Sequence, residues 1–179
     1  QNSWAQGDIA DIGELADWAG GKRADWVLIN PLHAGSPVKP IAPSPYLPVT
    51  RRFPSPFYLS VESVPGWVAL NVKAKAKLKA DIDRLKSQNR SADLLDRDDV
   101  WAVKDAALTA VFDAGLSTQD AAAFAAFRAE QGQGLEDFAL WCALVEERVG
   151  QGWTSDKTVN PDRKSTRLNS SHANISYAV

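Results

Sequence analysis

The chain has 179 residues, a formal net charge of −2 and a pI near 5.7. Its hydrophobic and charged fractions, 45% and 23%, are those of a soluble globular chain of one domain, or of one domain with a tail. That balance gives no electrostatic case for nucleic acid or an anionic membrane surface, and no apolar run reaches the roughly 20 residues that span a bilayer.

The single Cys142 excludes an internal disulfide and suits a reducing compartment, so a cytoplasmic location is expected. The N-terminus, Gln1-Asn2-Ser3-Trp4, lacks an initiator Met and the charged-then-apolar layout of a signal peptide. With Met absent throughout, the chain is expected to be a piece from inside a longer reading frame. Seven Trp residues are many for this length. Aromatic planes stack on sugar rings and also fill cores, so the count alone does not separate the two uses.

In chain order, Asp8 caps a first helix, with Asp11 in its first turn. Ile9, Ile12, Leu15, Ala16 and Ala19 share one face of it, and Gly20-Gly21 ends it. Asp25-Trp26-Val27-Leu28-Ile29 is short, apolar and β-rich, which predicts a buried strand. A helix, a glycine turn and then a strand form one unit of an alternating α/β fold. All but one of the ten prolines lie between Asn30 and Pro65, so no long helix fits there. Phe57 to Val61 is the one plausible strand inside that loop.

From Val72 to about Gly150 the pattern is helical. Leu78, Ile82 and Leu85 mark one apolar face; Val100, Val103, Ala107, Leu108 and Val111 mark the next. Ser117 with Asp120 starts a helix carrying Phe124 and Phe127, and Leu135, Phe138, Cys142 and Val145 mark the last face. Lys73 to Lys79 is expected to be a solvated helical face. The run from Arg163 to Val179 is polar and aperiodic, resembles a translated adapter stretch, and is set aside from fold reasoning.

Three short motifs then fall in one window: Asn30-Pro31-Leu32-His33-Ala34, Ser44-Pro45-Tyr46 and Arg51-Arg52. A buried strand running into a shaped loop is how a barrel builds its binding face. Together these residues closely resemble the 4-α-glucanotransferases, the amylomaltase family. A second segment, from Leu94 to Lys104, resembles the family's Asp-containing turn that opens a helix. The resemblance runs from about Trp4 to Gly152.

The resemblance implies a fold and a chemistry. The expected class is α/β: a partial (β/α)8 barrel, incomplete here, carrying a mostly helical inserted subdomain. Residues 1–70 are expected to form the early barrel with a substrate-lining loop, 71–152 the helical insertion, and 153–179 an irregular tail. The implied reaction is retaining transfer of α-1,4-glucan segments between malto-oligosaccharides, without metal or organic cofactor. Retaining transfer needs a carboxylate nucleophile and a carboxylic acid/base about 5 Å apart. The family's pair lies on later strands, so no catalytic residue is assigned, and the chain alone is expected to be inactive. The competing expectation is a non-catalytic carbohydrate-binding or helical interaction module.

Four substrate-binding candidates follow, each with two readings. The family places Tyr46 against the reacting sugar, while a loop tyrosine also serves plain packing. Ser44 offers its hydroxyl to a sugar or to the turn. His33, beyond a strand's carboxyl end, meets a sugar or backbone carbonyls. Trp101 occupies the position of an aromatic that joins a secondary glucan site in some relatives, or it packs. Arg51 and Arg52 bind a carboxylate or are solvated. No Cys/His cluster has metal spacing.

Overall fold

The computed structural model describes residues 2–150. Among them five helices carry the regular structure: α1 (Ile9–Gly21), α2 (Val72–Gln88), α3 (Arg97–Ala114), α4 (Thr118–Gln131) and α5 (Gln133–Gly150). The tail from 153 to 179 lies outside the described residues.

The starts of α1 to α4 are written in short polar side chains. The Asp8 carboxylate accepts from the amides of Ala10 (2.9 Å) and Asp11 (3.2 Å), and Asp11 accepts in return from the Asp8 amide. Asn71, Asp96 and Ser117 cap α2, α3 and α4, accepting from Ala74, Asp99 and Asp120 respectively. These bonds satisfy amides that a helix cannot satisfy for itself.

Two apolar clusters hold the chain together. The larger joins Trp4 and the loop residues Phe57, Leu59, Val61, Val64 and Leu70 to the inner faces of α2 and α3. Ile82 and Leu85 enter from α2; Val100, Val103, Ala107, Leu108 and Val111 enter from α3, as the spacing predicts. Gly66 makes the close approach possible. It sits at φ +88°, and a Cβ there would meet the Val111 side chain at 3.1 Å. Arg84 of α2 adds a two-pronged bond to Asp99 of α3, which holds the Asp99 carboxyl below its ordinary value. The smaller cluster sets Phe53 against Leu135 and Ala139 of α5, with Phe53 stacked on Phe138 at 5.1 Å.

Two expectations fail. No strand is present among the described residues, so the α/β alternation expected of a partial barrel is not formed within them. Asp25–Ile29 is irregular, with Trp26 76% and Leu28 83% exposed. A strand exists through hydrogen bonds to a neighbour, and an apolar β-rich run without one has nothing to pair with. The nearest ladder-like contact is the isolated antiparallel bridge between His33 and Pro54. Phe57–Val61 is likewise not a strand: Pro56–Tyr58 and Val61–Ser63 are 3₁₀ turns, the first capped by Ser55. Pro54 and Pro56 remove the amides a strand would need there. The apolar stripe of α1 is only partly covered; Ala19 is its one buried residue, and Ile9 and Leu15 stay about half exposed.

Candidate functional site

The proline-rich loop is pinched at its base and pinned at its tip. Ala34 donates to the Phe53 carbonyl (2.9 Å) and Ser55 to the Leu32 carbonyl (2.7 Å), closing the base. Near the tip, the Ile41 amide donates to Asp98 Oδ1 at 2.6 Å, in the first turn of α3. The loop is thereby laid along α3 and α5, leaving two neighbouring clefts.

The first cleft brings together three of the four expected binding residues: His33, Ser44 and Trp101. Its floor is aromatic. The Trp101 ring lies 6.5 Å from the Phe57 ring, and Tyr58 meets Phe57 edge-on at 5.5 Å. Tyr46 faces the second cleft, with Asn30 and Leu32. The residue is 62% exposed, and its hydroxyl donates to Asn30 Oδ1 at 2.8 Å. Ser44 Oγ accepts from the Tyr46 amide at 3.3 Å, so its hydroxyl serves the turn that presents Tyr46.

The two arginines part company. Arg51 is exposed. Arg52 turns away from both clefts: it donates to the Gln131 carbonyl at the end of α4 and lies over the Phe53 ring. Its guanidinium also packs against the bare backbone of Gly134, where a Cβ would collide with it.

Three cleft features were not singled out in the sequence. Asp105 of α3 and Glu146 of α5 place carboxylates at the first cleft. Arg97, the first residue of α3, lines both clefts together with Pro45 and Tyr58. Lys104, on α3, is buried behind the floor and donates to the carbonyls of Phe57 (2.8 Å) and Leu59 (3.0 Å). Burial lowers its pKa to about 8, against the opposing attraction of Asp8 and Asp11.

Cys142 borders the first cleft from α5 but is not poised as a nucleophile. Burial, and then the charge of Glu146, push its thiol up to about 12. At pH 8 the folded chain is therefore expected to react with a disulfide reagent roughly a thousandfold more slowly than after denaturation. Fast labelling of the folded chain would show that the thiol is open to the cleft. Among the described residues, no group of three His, Cys, Asp or Glu side chains could hold a metal ion, and no helix is long and apolar enough to cross a membrane.

The chain is similar to known proteins along most of its length. The family model for 4-alpha-glucanotransferase matches residues 1–178, a span that includes most of the tail. A 4-alpha-glucanotransferase of Mycobacterium tuberculosis (strain H37Rv) is 43% identical over 161 residues, covering 86% of this chain and 22% of that protein. One from Haemophilus influenzae is 30% identical over 113 residues. The crystal structure of amylomaltase from Corynebacterium glutamicum matches 87% of this chain at 38% identity with a TM-score of 0.78, again over 22% of its own length. The chain thus spans about a fifth of the relatives it matches. It belongs to the 4-alpha-glucanotransferase family.

Proposed function

We propose that this chain is part of a 4-α-glucanotransferase that moves α-1,4-glucan segments between malto-oligosaccharides by a retaining mechanism in the cytoplasm. Its share is to contact the glucan. The observation that carries this reading is the convergence of His33, Ser44 and Trp101 on one cleft with Tyr46 beside it. An aromatic floor with scattered hydroxyl, imidazole and guanidinium groups suits sugar rings, which offer apolar faces and a rim of hydroxyls. Trp101 and Tyr46 supply the planes; His33 and Ser44 supply polar contacts.

In the whole enzyme, residues 1–70 belong to the first part of a (β/α)8 barrel and 71–152 to a helical insertion. The exposed apolar run Trp26 to Ile29 supports this, because a barrel needs eight strands to close and such a run would be covered by the others. The competing module would cover its own apolar run. The retaining carboxylate pair is supplied by other parts of the enzyme, so the chain alone transfers nothing.

The test is Tyr46→Ala in the complete enzyme, assayed by release of glucose from maltotriose beside a thermal melt. Loss of a ring stacked on the reacting sugar is expected to slow transfer about 5- to 150-fold with the melt unchanged. Tyr46→Phe, which keeps the ring and loses only the hydroxyl bonded to Asn30, is expected to lose less. Unchanged transfer by a folded Tyr46→Ala enzyme would return Tyr46 to loop packing.

A further inference from the structure

The two clefts share one wall, and Arg97 stands in it with Pro45 and Tyr58. Its guanidinium is held in place without being used up. It lies over the Phe57 ring, 4.5 Å from its centre. Its hydrogen bonds, to Gln6 Oε1 at 3.3 Å and Tyr58 Oη at 3.5 Å, are both long, and neither partner is a carboxylate. Its Nε is buried and has no acceptor. A buried donor of a charged group left without an acceptor is costly, so a structure that keeps one calls for an explanation.

The surroundings decide what the guanidinium would meet in the clefts. Asp105 and Glu146 border the first cleft, and Asp8 and Asp11 border the second. So acidic a setting repels an anion. A neutral polyol meets no such repulsion: its hydroxyls accept from the guanidinium fork and donate to carboxylates.

We propose that Arg97 is a glucan-positioning residue: its guanidinium takes neighbouring hydroxyls of one glucose unit where the clefts meet, so that a single malto-oligosaccharide lies across both. This rests on the glucan reading above and adds a residue and a span to it. The Tyr58 hydroxyl and the Gln6 amide serve as weak placeholders that yield to the ligand. Lysine cannot replace arginine here, because a point charge on a flexible stem neither stacks on Phe57 nor presents two parallel donors.

The experiment uses this chain with maltoheptaose and maltose, by titration calorimetry and by the Nε–H signal of Arg97 in ¹⁵N NMR, assigned through Arg97→Lys. Maltoheptaose is expected to bind more tightly than maltose, to move the Arg97 Nε–H signal, and to bind Arg97→Lys about tenfold more weakly, the loss of roughly one charge-assisted hydrogen bond. If maltoheptaose binds but leaves that signal in place, the inference falls and the glucan reading stands. Equal affinity of a folded Arg97→Lys chain has the same meaning. If the folded wild-type chain does not bind maltoheptaose, the inference falls, and Tyr46→Ala in the complete enzyme decides the glucan reading. Should Arg97→Lys fail to fold, Arg97→Gln supplies the assignment and the wild-type signal decides.

Discussion

Phe57→Ala is expected to cost about 3–5 kcal/mol of folding stability, the usual toll for removing a buried aromatic ring. Phe57 is 3% exposed and sits where the loop meets α3. It touches Tyr58 edge-on, lies beside Trp101, and carries Arg97 over its ring. Deleting it opens a cavity under the cleft floor, and the 3₁₀ turn that holds it is tied by Ser55 and Lys104, so collapse into the space is limited. Whole domains hold only about 5–15 kcal/mol, so such a loss removes much of the reserve. Urea unfolding followed by Trp fluorescence measures it, with Phe57→Leu expected to lose less. A loss under about 1 kcal/mol would mean that the ring does not seal the loop to α3.

The helices were legible because their signals are local. Asp8, Asp96 and Ser117 announce their caps within three residues, and the 3.6-residue spacing of Val100, Val103, Ala107 and Val111 names the buried face. The strand at Asp25–Ile29 misled because a strand is a relation between two segments, and one segment's composition does not supply the second. The cleft was half legible. The motif around His33, Ser44 and Tyr46 named its loop, and the Asp96 turn led to Trp101. Arg97 was not legible, since an arginine among aspartates at a helix start looks solvated. Only the fold sets it beside residues 6 and 57–58. Lys104 did leave a trace that was missed: it falls on the same stripe as Val100, Ala107, Leu108 and Val111, where an apolar residue is expected.

Among the described residues, that position makes Lys104 the clearest pH-dependent element. The side chain is 1% exposed, and burial holds its pKa at about 8 against 10.5 in the unfolded chain. Below pH 8 both states carry the proton, and the folded state bears the full cost of a buried ammonium. Between pH 8 and 10.5 the folded state sheds that proton while the unfolded state keeps it, so stability rises with pH across this window. The gain is about 3 kcal/mol, taking about 1.4 kcal/mol per pH unit. Neutral Lys104 still carries two hydrogens, enough to serve the Phe57 and Leu59 carbonyls. Cys142 works in the opposite sense above pH 9. Its raised pKa keeps the folded thiol protonated while the unfolded one ionises, so stability falls there. The two are separated by comparing wild type with Lys104→Met at each pH, because Cys142 is common to both. Lys104→Met also strands the two carbonyls, a penalty that does not change with pH. The expected result is a stability difference, wild type minus variant, that grows by about 3 kcal/mol from pH 8 to 10.5 in urea melts. A difference that stays constant over that range would mean that Lys104 keeps its proton in the fold, stabilised by Asp8, Asp11 and the two carbonyls together.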